Sequence, residues 1–201
     1  MVKHSTFSDV FNFTWNQVAI GLWQRYPNVY SKHVLSEDVI SRKIINGKLH
    51  TKRLFTKTNP MPKAGEKFIT ARNVYIIEES IVDPKDKTFV TYTRNVGMQK
   101  YVTIEEKCFY QPDITDKSLT VCNRWAFISS SFFGLGRVIQ TFCTQRFKQN
   151  VKKSMKGLNE TMDKLFNPEA NQHNECRKEK FKEKAKAAVE KAKIKTSKQM
   201  C

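Results

Sequence analysis

The sequence predicts an α+β fold, in which a curved antiparallel sheet of about seven strands grips a short and a long helix. Three observations predict it. Short β-rich runs recur up to residue 130, the breaks between them carry hairpin chemistry, and one long helical pattern follows.

Residues 5 to 13 read as extended. Trp15, Val18, Ala19 and Leu22 then recur at helical spacing over Trp15 to Trp23, and Pro27 ends that segment. Six β-rich runs follow at 34–45, 48–57, 73–82, 88–96, 100–110 and 119–130. Asn46-Gly47 between two of them is a two-residue hairpin signal, because both residues accept the positive φ that a tight turn demands. Asp83-Pro84-Lys-Asp86 and Pro112-Asp-Ile-Thr-Asp116 supply side-chain acceptors for turns. Asn59-Pro-Met-Pro-Lys-Ala-Gly-Glu-Lys-Phe-Ile-Thr70 is too long and too rich in Pro and Gly for a hairpin, and reads as a mobile flap.

From Gly134 to Phe166 the pattern becomes one helix. Leu135, Ile139 and Phe142 mark one face, and Phe147, Val151, Met155, Leu158, Met162 and Leu165 mark another, suited to packing on the sheet. Arg146 and Lys153 continue the first face, seven residues apart. Cations that share a stripe with apolar residues suit a surface touching an amphiphile with an anionic head. A long helix across the mouth of a curved sheet leaves a cavity where apolar ligands bind.

The chain is long enough for one domain over residues 1–170 and a basic tail over 171–201. Only 39% of residues are hydrophobic, but fourteen Phe, six Tyr and three Trp supply large apolar units for a core. Ten basic and four acidic residues fall in the tail, where Phe181, Ala185, Ala188, Val189 and Ala192 form a thin stripe. That stripe fits either a helix resting on an anionic membrane or a solvated tail. The formal net charge of +17 implies attraction to polyanions: nucleic acid, an anionic membrane or acidic protein.

Other function classes lack their residues. No run of about eighteen apolar residues is present for a membrane-spanning helix, and the N-terminus has no secretory or transit-peptide pattern. Cys108, Cys122, Cys143, Cys176 and Cys201 form no Cys-x-x-Cys pair, so they read as buried residues or free thiols. His4, His33, His50 and His173 are scattered, and Glu78-Glu79 and Glu105-Glu106 read as strand-face carboxylates exposed to solvent or paired with lysines. There is no nucleophile elbow, P-loop or Gly-x-Gly-x-x-Gly. The expectation is a binding protein without catalytic machinery.

Three ordered segments carry a family resemblance: Arg25-Tyr-Pro-Asn-Val-Tyr-Ser-Lys-His-Val-Leu35, Tyr92-Thr-Arg-Asn95 and Arg146-Phe-Lys-Gln-Asn-Val-Lys-Lys-Ser-Met-Lys-Gly157. With them the sequence resembles the PRELI/MSF1 family of intermembrane-space phospholipid carriers over roughly residues 1 to 168, closest to the branch that carries phosphatidic acid. The resemblance implies a lipid tunnel between sheet and helices, and transfer of phosphatidic acid between the mitochondrial outer and inner membranes in support of cardiolipin synthesis. It implies phospholipid cargo in place of a cofactor, contact with anionic mitochondrial membranes, and a small twin Cys-x9-Cys helical-hairpin protein as heterodimer partner.

A phosphatidic acid head carries up to two charges, and its removal from water requires cations and donors, arginine best of all for its bidentate fork. Arg25, Lys57, Lys63, Arg146 and Lys153 match the family's headgroup and membrane-contacting basic positions. Arg25, at the end of the first helix, has the alternative role of satisfying carbonyls there. The family often has Lys where Arg146 stands. Residues 59 to 70 correspond to the lid loop, with Met61, Phe68 and Ile69, joined by Phe142 on the long helix, as apolar membrane contacts. Related loops carry a bulky apolar residue where Lys63-Ala64-Gly65 stands here, which argues against deep insertion. Phosphatidylserine is the alternative cargo, since pocket volume decides the head. A nucleic-acid-binding module is the alternative of another class, although the aromatic signature of an RNA-recognition sheet is missing.

Overall fold

The computed structural model describes residues 2–58, 72–99, 101–131 and 136–168. Met61, Lys63, Phe68 and Ile69, together with the tail at 171–201, lie outside the described residues. The chain divides into two compact units, residues 1–161 and 162–201. The described part of the second is the end of the long helix and two residues beyond it.

In the first unit, strands β1 (Val2–Phe11), β2 (Val34–Ile45), β3 (Lys48–Thr58), β4 (Asn73–Asp83), β5 (Thr88–Val96), β6 (Val102–Pro112) and β7 (Thr120–Ser130) form one antiparallel sheet. Its order is β1-β7-β6-β5-β4-β3-β2. Helices α1 (Trp15–Trp23) and α2 (Gly136–Phe166) complete the α+β fold expected from the sequence. Strand β6 begins and ends two residues later than expected, and β7 begins one residue later. The opening strand lies nearer the N-terminus, because Val2 to Phe11 pairs in continuous register with β7.

Local chemistry sets these boundaries. Asn46 and Gly47 have φ of 51° and 75°, and Ile45 pairs directly with Lys48, so the hairpin turns on those two residues. The Asp83 carboxylate accepts from the Lys85 and Asp86 amides at 3.0 and 3.2 Å, and Asp113 does the same for Thr115 and Asp116. At the start of α1, the Gln17 side chain accepts from the Thr14 amide at 2.9 Å.

Strand alternation gives the sheet two unlike faces. The inward face carries Phe55, Phe89, Tyr110, Cys122, Ala126 and Ile128, all buried. Phe11, Trp15, Val18 and Leu22 join this core from β1 and α1. Trp23 stacks on Phe89 with ring centroids 5.5 Å apart. Cys108 and Cys122 are buried and Cys143 half-buried, all three as free thiols, in line with the sequence reading.

Two motif residues meet where α2 crosses the turn after α1. The Asn28 side chain donates to the Arg25 carbonyl at 2.6 Å and accepts from the Tyr30 amide at 3.0 Å, so it is held in place. A Cβ on Gly157 would sit 2.6 Å from Asn28 Oδ1 and 2.8 Å from its Cγ. Glycine there lets α2 approach the turn, and Gly157→Ala must displace a pinned side chain. We expect a loss of about 1–3 kcal/mol, measurable as a lower denaturant midpoint. Asn28→Ala in the same background should recover part of that loss.

Candidate functional site

A cavity of about 540 Å³ lies between the inward face of the sheet and α2, within the first unit. That volume falls in the range of small-molecule sites. Its apolar wall comes from strand residues such as Ile76 and Ile104 and from Ile139, Phe142, Phe147, Val151, Met155 and Leu158 of α2. Both apolar stripes of α2 border the cavity, and the second also packs on the sheet as expected, with the Phe147 ring 6.2 Å from that of Phe7 in β1. Through Gln140 the helix also bonds β7. Gln140 Nε2 donates to the Ile128 carbonyl at 2.8 Å, and Thr144 Oγ1 donates to the Gln140 carbonyl at 2.7 Å. Both side chains are buried, and hydrogen bonding is what makes a polar helix face tolerable there.

Ion pairs built from strand parity cross the floor. Register places Arg53 opposite Glu78, Glu78 opposite Thr93, and Thr93 opposite Glu106, all on the inward face. Arg53 is 1% exposed and bonds Glu78 through Nε at 3.1 Å and also through Nη2, while its Nη1 reaches Glu37. Its guanidinium lies 4.5 Å from the centroid of Trp23. Arg25 Nη2 takes the other Glu78 oxygen at 2.6 Å, and its guanidinium lies over the Tyr26 and Phe55 rings at 5.1 and 5.5 Å. Further along, Arg124 pairs with Glu106, whose second oxygen accepts from Thr93 Oγ1 at 3.2 Å.

These pairs correct the sequence reading of the carboxylates. Glu79 is exposed and bonds Lys52 at 2.8 Å as expected, but Glu78 is buried between two arginines and Glu106 is held by a third. Burial works against the Glu78 charge, yet Arg25 and Arg53 outweigh it and hold the carboxyl below its ordinary value of 4.5. Burial likewise works against the Arg25 and Arg124 charges, and their carboxylates reverse that effect, so both remain charged.

Arg25, Lys57, Arg146 and Phe142 all line the cavity. Arg25 does not cap α1 with its side chain; its carbonyl is satisfied by Asn28 instead. Phe142 is 38% exposed and Val138 is 67% exposed, so the cavity has an apolar lip on α2. Lys153 is not among the lining residues and is exposed to solvent. Over this part of α2 the lining face moves round the helix to Val151, Met155 and Leu158, which leaves Lys153 outside it.

Lys153 still acts on the site through its charge. His33 lines the cavity, and burial, followed by the positive charges of Lys57, Lys153 and Arg146, lowers its pKa to about 4. Between its ordinary value of 6.5 and about 4, the unfolded chain holds more protons on this histidine than the folded one. The contribution of His33 to stability is therefore intact above 6.5 and is lost as pH falls through that window. The ring should stay neutral down to about pH 4, and Lys57→Gln should raise the midpoint; imidazole NMR shifts against pH measure both.

Arg53 and Arg124 were not singled out in the sequence, and His33, Glu78 and Glu106 were named there without a role in the site. A charged residue in phase with buried ones, as Arg53 is with Thr51 and Phe55, was the signal for the strand arginines. Asn95, from the second motif, is buried and structural: it accepts from the Ile104 amide at 2.8 Å and donates to the Val102 carbonyl at 2.9 Å.

A sheet wrapped on a long helix, with an apolar cavity and buried arginines, agrees with the family suggested by the motifs. A model described as the PRELI-like family matches residues 16–169. The chain belongs to the PRELI-like family. It is 43% identical over 197 residues to "PRELI domain-containing protein 1, mitochondrial" of Gallus gallus, covering 96% of this chain and 88% of that protein. It is 35% identical over 167 residues to "Protein UPS1, mitochondrial" of Saccharomyces cerevisiae, covering 82% and 95%. The crystal structure of TTHA0849 from Thermus thermophilus matches with a TM-score of 0.57 at 16% identity, over 82% of this chain and 99% of that one, which shows the fold alone. Both sequence relatives are named as mitochondrial proteins. PRELI-like membership thus supports a mitochondrial location and a lipid-transfer role.

Proposed function

We propose that this PRELI-like protein carries phosphatidic acid between the outer and inner mitochondrial membranes, through the intermembrane space, and so supports cardiolipin synthesis. The observation that carries the reading is the juxtaposition of an apolar cavity with Arg25 on its floor and Lys57 and Arg146 at the side occupied by His33. Apolar walls suit acyl chains, and several cations offset the cost of taking a phosphomonoester from water. The protein acts as a carrier, without catalysis and with the phospholipid as cargo in place of a cofactor. Among the described residues, no helix is long and apolar enough to cross a membrane and no group of side chains could hold a metal.

The carboxylates favour phosphatidic acid over phosphatidylserine. A serine head adds an ammonium, and both carboxylates lining the cavity, Glu78 and Glu106, are already engaged by arginines. Exposed Val138 and Phe142 beside the cationic residues fit brief contact with an anionic membrane surface. On the outward face of the sheet, Tyr75, Tyr92 and Phe127 are each more than 40% exposed, which fits docking of a small helical-hairpin partner of the twin Cys-x9-Cys kind.

Liposome-to-liposome transfer of a labelled phospholipid panel, with and without that partner, tests the proposal. Phosphatidic acid should move fastest. Equal rates for zwitterionic phospholipids, or faster movement of phosphatidylserine, would overturn the cargo assignment.

A further inference from the structure

Arg124 has more donor capacity than the protein uses. It is 6% exposed, lines the cavity from β7, and bonds Glu106 through Nη1. Its Nη2 has a weak acceptor, Met155 Sδ at 3.7 Å, and among the described residues its buried Nε–H has no hydrogen-bond partner. A buried, charged donor without an acceptor is costly, and native interiors seldom leave one so. Met155 itself lines the cavity, so this guanidinium sits where a bound molecule can reach it.

Resting on the phospholipid-carrier reading above, we propose that Arg124 is a cargo-reading residue that donates to an ester carbonyl of the glycerol backbone, so that the cavity distinguishes diacyl from dialkyl phospholipids. Charge bookkeeping separates this position from the headgroup end. Glu106 is engaged by Arg124 among the arginines, and one carboxylate against one guanidinium cancels the charge, leaving a directed donor suited to a neutral oxygen. A phosphate at this point would face Glu106 and be repelled. At the headgroup end Arg25 and Arg53 are likewise matched by Glu78 and Glu37, but Lys57 and Arg146 add two further cations to the cavity lining there. Glu78 and Glu106 stand on the same inward row with β5 between them, two strand spacings or about 10 Å apart. In a glycerophospholipid the ester carbonyls lie only a few bonds from the phosphorus. A head held toward Arg25, Lys57 and Arg146 therefore brings the glycerol esters toward Arg124. The ether oxygen of a dialkyl lipid lacks the carbonyl and is the poorer acceptor.

The test compares transfer of dioleoyl phosphatidic acid with its dialkyl ether counterpart of equal chain length, and of the same pair with phosphatidylserine heads. The wild-type protein should favour the diester about tenfold, the scale of one hydrogen bond to a buried charged group. In Arg124→Met/Glu106→Gln, which removes both charges together, the two rates should become equal. Arg124→Lys keeps a charge for Glu106 without the Nε–H, and should lose the preference as well if the double variant does not fold. Lys57→Gln should slow diester and diether alike and leave their ratio unchanged. Equal wild-type rates for the two linkages, or a preference that survives in a folded Arg124 variant, overturn the proposal. Because the ratio is read for either head, a cargo that proves to be phosphatidylserine overturns the headgroup assignment and leaves the role of Arg124 standing.

Discussion

Replacing Glu78 by alanine is expected to destabilise the protein by about 3–5 kcal/mol, the scale of breaking a buried ion pair from one side. Glu78 is 3% exposed and serves both Arg25 and Arg53, so its removal leaves two guanidiniums in a cavity floor with less opposing charge. Arg53 cannot turn to solvent, since it is 1% exposed and packed on Trp23. Urea unfolding followed by tryptophan fluorescence measures the effect, and a loss under about 1 kcal/mol would mean that the network relaxes easily. The same group contributes a pH dependence. Its folded pKa lies below the ordinary 4.5, so the unfolded state binds more protons just below that value. The stabilisation is complete above about pH 4.5 and fades as pH falls toward the depressed folded pKa; the Glu78→Ala variant should lack that component of acid sensitivity.

The Glu78 network also bears on how Arg25 can be tested. Arg25→Glu would set a new carboxylate beside Glu78 in a buried site, so loss of transfer in that variant mixes lost recognition with lost stability. Arg25→Gln, paired with a stability measurement, separates the two. The sequence brought Arg25 forward by its place beside the Tyr-Pro turn, but nothing local announces its partner 53 residues away.

That distinction runs through the whole molecule. Features fixed by neighbours in the chain were legible: the Asn46-Gly47 hairpin, the α1 periodicity ended before Pro27, the six later strands, and the long helix. Features fixed by register were not. Glu78 and Glu79 are adjacent and chemically alike, yet alternation sends one into the floor and the other to solvent beside Lys52. Arg124 and Glu106 meet through the pairing of β6 with β7, and Asn28 meets Gly157 across the turn after α1; each needs the tertiary fold to be seen. On α2, seven-residue spacing grouped Arg146 with Lys153, but the cavity-lining face passes to Val151, Met155 and Leu158 and leaves Lys153 at the surface, from where its charge still reaches His33.

Reversing Lys57 and Arg146 together is expected to lower extraction of phosphatidic acid by at least about a hundredfold, since hydrogen bonds to charged groups contribute roughly 1.5–3 kcal/mol each. Both residues line the cavity, and neither is fully buried, so a carboxylate at either position can remain hydrated in the empty protein. The fold should therefore survive, in contrast to the loss expected at Glu78, and thermal melting can verify this. Reversal of Lys148 and Lys152 supplies the control, because these are exposed positions of the same helix and neither lines the cavity. That control changes the net charge by the same amount. If it impairs extraction as strongly, the cations act by attracting the whole protein to an anionic surface, and salt should suppress transfer by both proteins alike. If only the Lys57 and Arg146 pair matters, the loss persists at a salt concentration that screens surface attraction, and it falls more heavily on phosphatidic acid than on lipids with a neutral head. The second pattern is the one expected of cations that ligate the head inside the cavity.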